Sequence, residues 1–96
     1  NNLALSSRNL LLNKNELTIA RNLATNIISF KKKIYNTKDL KKILYIKKKE
    51  LNKLSGVTIE YFDLRNKFNL NKSNKIKNSK IFIAYYLNKI RLIDNF

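Results

Sequence analysis

The chain has 96 residues, one domain at most, and its 44% hydrophobic content excludes disorder over most of its length. Cysteine and histidine are both absent, which excludes a disulfide framework and a thiolate metal site and removes the commonest general base. No apolar run is long enough to span a bilayer and nothing resembles a signal peptide, so we expect a cytoplasmic protein. Methionine is also absent, which suggests a piece of a longer chain.

The formal charge of +15 comes mainly from lysine. Arginine occurs only at Arg8, Arg21, Arg65 and Arg91, while proline is absent and glycine occurs once. Together with many asparagines and isoleucines, this bias indicates drift toward AT-rich codons and predicts a solvated lysine surface. The alternative is a small basic nucleic-acid-binding module, in which lysines contact phosphates and tyrosines stack on bases.

Residues 1–12 show neither a helical nor a strand period, and a first helix is predicted from about residue 14 to residue 34. Asn13 and Glu16 have the spacing of a capping box, in which each side chain bonds the other residue's backbone N–H. Apolar residues then recur every three or four positions, at Ala20, Leu23, Ile27, Phe30 and Ile34.

A second helix is predicted after Thr37, which suits the N-cap position and would place Asp39 in the first turn. Lys47 interrupts its apolar stripe. The only glycine of the chain, Gly56, follows Ser55 and favours a helix end there. The stripe itself consists of Leu40, Ile43, Leu44, Leu51 and Leu54.

Three strands are predicted next, at residues 57–65, 80–87 and 90–95, because β-branched and aromatic residues alternate there. In the first, strict alternation puts Val57, Ile59 and Tyr61 on one face and Phe62 and Leu64 on the other. The last two strands form a hairpin through a two-residue turn at positions 88 and 89. The fold class is therefore α+β, a two-layer domain with two helices packed on a small three-stranded antiparallel sheet.

Between the first two strands, residues 66–80 are polar and predict a loop, in which Phe68 and Leu70 anchor one turn. At the hairpin turn, Asn88 is a residue type that tolerates a positive φ.

The acidic residues offer little chemistry. Asp39 and Glu50 are interpreted as surface charges on the second helix. Glu60, Asp63 and Asp94 lie on predicted strands and could approach one another, but their spacing does not show that they do, and their roles stay open.

Three tyrosines, Tyr61, Tyr85 and Tyr86, occur at strand spacing. This pattern favours packing within the sheet over a platform for stacking bases.

The segment LALSSRN, residues 3–9, combines groups that suit one task. The hydroxyls of Ser6 and Ser7 can donate to phosphate oxygens, and the Arg8 guanidinium can add a charge-assisted bidentate contact. The alternative is a linker in which the serines only turn the chain. From the residues alone both interpretations stay open.

Together with the closing RLIDN, residues 91–95, LALSSRN resembles the pantothenate synthetase (pantoate–β-alanine ligase) family. The resemblance covers the whole chain but only about the last third of such an enzyme. It implies a C-terminal lid domain at residues 1–96, made of an ATP-contacting loop at residues 1–12 and a helix-helix-strand-strand-strand domain at residues 13–96. The N-terminal Rossmann-like domain of the family, with its histidine motif and pantoate pocket, is absent from this chain.

The resemblance implies an ATP-dependent, AMP-forming acid–amine ligase of pantothenate biosynthesis, on the route to coenzyme A. Pantoate and ATP give pantoyl adenylate and pyrophosphate, and β-alanine then attacks to give pantothenate and AMP. By match, Leu5 lines the adenine–ribose side, Ser6 and Ser7 bind triphosphate oxygens, and Arg8 is the catalytic cation. Asn9 is expected to hold the shape of the loop. Mg²⁺ would be bound mainly by the missing domain.

The resemblance further implies that the intact enzyme is a homodimer and that this domain contacts the N-terminal domain of its own enzyme. It implies binding neither to a membrane nor to a specific nucleic acid. This chain alone is expected to be inactive. One departure is Asn88, where the family's final hairpin usually has glycine. A third interpretation remains beside the lid domain and the nucleic-acid module: a remnant that keeps the fold but does not meet ATP.

Overall fold

The computed structural model describes residues 11–34 and 38–96. It contains, in chain order, α1 (Lys14–Lys33), α2 (Leu40–Asn52), β1 (Val57–Asn66), β2 (Ser79–Leu87) and β3 (Ile90–Asn95). The strands form one antiparallel sheet in the order β1-β2-β3. The predicted α+β class is therefore confirmed, and the strand bounds differ from the predicted ones by one residue or less.

Helix α1 begins as predicted, with a capping box. The Glu16 backbone N–H donates to Asn13 Oδ1 (2.8 Å), and the Asn13 N–H donates to Glu16 Oε1 (3.0 Å). Its apolar stripe is buried at Ala20, Leu23, Ala24 and Ile27. Lysines fill the last turn, where positive charge offsets the negative end of the helix dipole.

Helix α2 differs from the prediction at both ends. Asp39 is the N-cap and not a first-turn residue, because its carboxylate accepts the Lys42 N–H (3.3 Å); Thr37 lies outside the described residues. The helix ends at Asn52, before Ser55 and Gly56. Backbone bonds to carbonyls three residues back tighten the chain at Lys53 and Leu54, which closes the helix early.

The predicted division of β1 into two faces is wrong at one point. The register with β2 shifts between Ile59 and Tyr61, which marks a β-bulge. A bulge inserts one extra residue, so the alternation of side chains changes phase there. Val57, Ile59, Phe62 and Leu64 are all buried on the helix-covered face, and Tyr61 lies on the opposite face.

The prediction that Phe68 and Leu70 anchor a turn is also wrong. Phe68 is 75% exposed and Leu70 is exposed as well, while Ile76 is the residue of this loop that joins the core. The turn is held instead by polar contacts, because the Asn66 side chain accepts from the backbone N–H groups of residues 68 and 69.

The core lies between the helices and the inner face of the sheet. Its largest fully buried side chains come from both helices and from β2: Leu23, Ile27, Leu51, Ile81, Ile83 and Leu87. Lys47, which interrupts the α2 stripe in sequence, is only 9% exposed. Its ammonium group pairs with Glu50 (3.1 Å) and lies over the Phe30 ring, so its aliphatic stem packs against the core.

Gly56 has a positive φ of +78°, and a Cβ added there would lie 2.6 Å from Oδ1 of Asn88. We expect Gly56→Ala to destabilise the chain through left-handed strain of about 1–2 kcal/mol and through displacement of the Asn88 side chain. Asn88 itself has φ +56°, which glycine adopts freely. In an Asn88→Gly background, the cost of Gly56→Ala should fall toward the strain alone, as measured by urea unfolding. An equal cost in both backgrounds would contradict this close contact.

Candidate functional site

The predicted site residues Leu5, Ser6, Ser7 and Arg8, with Asn9, lie outside the described residues. The first described residues are Leu11, which is exposed, and Leu12, which is buried in the core. The elements that follow LALSSRN immediately in the chain fix where α1 starts.

Three parts of the chain meet at the start of α1, in what we call the hairpin-end junction: Asn13, Glu16, Gly56 and Asn88. The Asn88 side-chain amide donates to Glu16 Oε2 (2.6 Å), and the Asn88 backbone N–H donates to the Gly56 carbonyl (2.8 Å). Glu16 also completes the capping box with Asn13. The turn between β2 and β3 is thus tied both to the first turn of α1 and to the start of β1.

The Glu16 carboxylate accepts hydrogen bonds from the Asn88 amide and the Asn13 backbone N–H, and these bonds lower the pKa of Glu16. A carboxyl group whose folded pKa lies below its unfolded value, about 4.3, stabilises the fold above that value. This stabilisation is lost as the pH falls through the folded pKa.

Glu16→Gln should therefore lower the urea midpoint most near neutral pH, and the difference from the unmodified chain should shrink toward pH 3. Asn88→Gly removes the largest cause of the shift and should reduce the same pH dependence. Urea titrations at a series of pH values measure both effects. A Glu16→Gln difference that stays constant from pH 7 to pH 3 would contradict the assigned hydrogen bonds.

Two acidic residues whose roles the sequence left open are ion-paired with arginines, one across the sheet and one within β1. Glu60 accepts two bonds from the Arg91 guanidinium, from Nε (3.0 Å) and Nη2 (2.8 Å), and these contacts lower the pKa of Glu60. Asp63 pairs with Arg65 (3.2 Å). Glu60 and Asp63 therefore each contact an arginine on the sheet. Over residues 11–34 and 38–96, no cluster of three or more acidic side chains could hold a metal ion.

The tyrosines divide between the two faces. Tyr85 is buried, and burial together with the nearby Asp94 carboxylate raises its pKa to about 12, so it packs in the core as predicted. Tyr86 is exposed and Tyr61 is half-buried on the opposite face, which the helices do not cover. Among the helices that the structure describes, none combines the length and the apolar character needed to cross a membrane.

Sequence reasoning missed two features of this end of the domain. The Glu16–Asn88 contact joins residues 72 positions apart, and the Glu60–Arg91 pair joins residues 31 positions apart. The composition of the turn did mark Asn88 as a residue that suits positive φ, but no local pattern gives its side chain a partner on α1.

A family model and a curated relative both match the chain over essentially its full length. Residues 1–96 match the family model described as pantoate-beta-alanine ligase. The pantothenate synthetase of Flavobacterium psychrophilum is 35% identical over 98 residues, an alignment that covers 99% of this chain and 34% of that protein. The chain thus spans about a third of the length of this relative. It belongs to the pantoate–β-alanine ligase family.

Proposed function

We propose that this chain is the C-terminal part of a pantothenate synthetase that condenses pantoate and β-alanine at the expense of ATP, releasing AMP and pyrophosphate. The observation that carries the proposal is the family match over residues 1–96, together with the 34% share of the Flavobacterium relative that the chain covers. The intact enzyme is proposed to be a cytoplasmic homodimer.

Within this function, residues 1–12 are the loop that contacts ATP. Ser6 and Ser7 are proposed to donate to the triphosphate oxygens, and Leu5 to line the adenine–ribose side. Arg8 is proposed to offset the charge that develops on pyrophosphate as it leaves, where a positioned cation stabilises the transition state more than the ground state. Support comes from the chemistry of the groups, since hydroxyl and guanidinium donors are complementary to phosphate.

The hairpin-end junction supports this assignment because it holds the chain directly after the loop. Leu12, the last residue of the loop, is buried; directly after it Asn13 caps α1, and Glu16 is bonded to Asn88 on a different element. A loop that ends on such a fixed point has less freedom to lose when it closes on ATP.

The donor set of LALSSRN fits phosphate oxygens, because its polar side chains include two hydroxyls and a guanidinium, and the segment contains no carboxylate, the usual protein ligand of Mg²⁺. When bound, Mg²⁺ would neutralise part of the phosphate charge, held by residues outside this chain. What this chain does is orient the triphosphate through Ser6 and Ser7 and place positive charge beside it through Arg8.

The test is reconstitution. The chain is mixed with the separately produced remainder of the synthetase, and pantothenate formation from pantoate, β-alanine and ATP is followed. Activity is expected only when both parts are present. A remainder that is fully active without the chain would overturn the proposed role and would favour a remnant that does not meet ATP.

A further inference from the structure

One lysine at the end of α1 is held differently from the two that follow it. Lys31 Nζ donates to the main-chain oxygens of Ser79 (3.0 Å) and Phe96 (3.1 Å), at the start of β2 and directly after β3. Lys32 and Lys33 lie in the same helical turn, are exposed, and make no hydrogen bond through their side chains to any residue that the structure describes. Lys31 is half-buried, so it is the lysine of this turn whose amine is positioned by the fold.

An apolar crevice lies beside the Lys31 amine. It has a volume of about 370 Å³ and is lined by Ile28, Ile76 and Phe96, together with Lys31 and Lys32. Ile76 is buried in the core, and Ile28 and Phe96 are half-buried, so these walls belong to the packed part of the domain. A small acyl group attached to Lys31 Nζ would therefore have apolar side chains to pack against.

The charges that act on Lys31 are positive. Burial has the largest effect on the pKa of Lys31, and the charges of Lys80 and Lys67 add to it; all three lower this pKa. Lys32 adds a further positive charge at the same crevice. Within the described residues, no acidic side chain lines the crevice or bonds Lys31 Nζ. A larger fraction of this amine is therefore uncharged near neutral pH than at an ordinary lysine.

The two hydrogen bonds leave the reactive position of the amine open. A neutral lysine amine has two N–H bonds and one lone pair. When both N–H groups donate to the oxygens of Ser79 and Phe96, the lone pair takes the remaining tetrahedral direction, away from both. A lysine that is partly desolvated and lies near other cations is a typical activated nucleophile in proteins.

We propose that Lys31 is an acylation site, which accepts acyl groups from acyl phosphates. The four neighbouring lysines, Lys31, Lys32, Lys67 and Lys80, suit the negative charge of such a donor, because a surface of one sign raises the local concentration of the opposite ion. The apolar crevice suits the acyl chain. This inference does not depend on the proposed function.

The reaction is an acyl transfer to nitrogen. The lone pair of Lys31 Nζ attacks the carbonyl carbon of the acyl phosphate, so that a C–N bond forms and the C–O bond to phosphate breaks. The electron pair of that bond leaves with the phosphate, which takes up the proton released by the nitrogen. The products are an uncharged amide and inorganic phosphate. The amide keeps one N–H, so it can continue to donate to one of the two main-chain oxygens.

The test is acetylation of the 96-residue chain by acetyl phosphate, with the rate at each lysine followed by peptide mass spectrometry. Lys32 and Lys33 are matched controls, because they share the last turn of α1 and the same end of its dipole. Near neutral pH, Lys31 should react at least about threefold faster than either control. This ratio should fall as the pH approaches about 10.4, where ordinary lysines also lose their charge. A Lys31 rate equal to or below that of both controls near neutral pH would overturn the proposal.

Two sets of variants test the cause of the difference. Lys67→Gln combined with Lys80→Gln removes both cations that lower the pKa of Lys31, so the ratio of the Lys31 rate to the Lys32 rate should fall. Lys89→Gln removes an exposed lysine from the turn at the other end of the sheet and should leave the ratio unchanged. Circular dichroism melting checks that each variant is folded. An equal fall in both sets would overturn the role of the lysine cluster.

A second donor tests the crevice without any substitution. Butyryl phosphate carries the same leaving group on a longer acyl chain, which the apolar walls of the crevice can accommodate. The ratio of the Lys31 rate to the Lys32 rate should be at least as large with butyryl phosphate as with acetyl phosphate. A ratio that drops to one with the longer donor would overturn the crevice as the site of the acyl group.

Discussion

Arg8→Ala in the intact synthetase is expected to lower the rate of pantoyl-adenylate formation by about 10²–10³-fold, or roughly 3–4 kcal/mol of transition-state stabilisation. The reason is that negative charge builds up on the leaving pyrophosphate and the guanidinium is proposed to face it. Single-turnover release of pyrophosphate from ATP and pantoate measures this step separately from the attack of β-alanine.

Two companion variants make the result specific. Arg8→Lys keeps the charge but loses the bidentate geometry, so it should recover only part of the rate. Arg21→Ala removes an exposed arginine on α1 and should leave the rate unchanged. An Arg8→Ala enzyme that releases pyrophosphate at the unmodified rate would refute the role of Arg8.

Ile83→Ala is expected to destabilise the chain by about 3–4 kcal/mol, within the range for truncating a large buried aliphatic side chain. Ile83 is fully buried on β2, the middle strand, and pairs with Phe62 on one side and Asp94 on the other. The loss should therefore combine buried apolar area with a cavity that neighbouring strands cannot easily fill. Urea unfolding of the 96-residue chain measures it.

The matched control is Ile93→Ala, on the neighbouring strand but facing away from the helices. Because Ile93 is largely exposed in the chain alone, its truncation should cost well under about 1 kcal/mol. Similar losses at Ile83 and Ile93 would contradict the assignment of the two faces of the sheet.

Features set by neighbours in sequence were predictable. The capping box of Asn13 and Glu16 is local, since both bonds join residues three positions apart, and it fixed the start of α1. The bounds of β3 follow from a short segment directly after a two-residue turn, where Asn88 adopts the positive φ that its residue type suggested.

Features that depend on a distant partner were not predictable. The β-bulge of β1 is a property of its register with β2, so strict alternation placed Tyr61 on the wrong face. At the start of α2, Thr37 and Asp39 are both suitable N-caps two positions apart, and propensity alone does not choose between them. Phe68 and Leu70 were expected to anchor a turn because they are apolar, but polar bonds from Asn66 hold that turn instead.

For the candidate site, the residue types of LALSSRN suit phosphate binding but leave a simple linker equally open, and the resemblance to the family, which the family match supports, favours a contact with ATP. The sequence could not predict the contact that fixes the chain directly after this segment. The bond between Glu16 and Asn88 exists only because the fold brings the β2–β3 turn to the first turn of α1. Likewise, the Glu60–Arg91 ion pair joins two strands of the sheet, and the spacing of residues within each strand does not predict it.

The central claim is that this chain contacts the phosphates of ATP in the intact synthetase. Its most direct test is photo-crosslinking of the full-length enzyme with an ATP analogue that carries the reactive group on the γ-phosphate, followed by peptide mapping. We predict labelling within residues 1–12 that excess ATP abolishes. Labelling confined to the N-terminal part of the enzyme, with residues 1–12 unmodified, would contradict the claim.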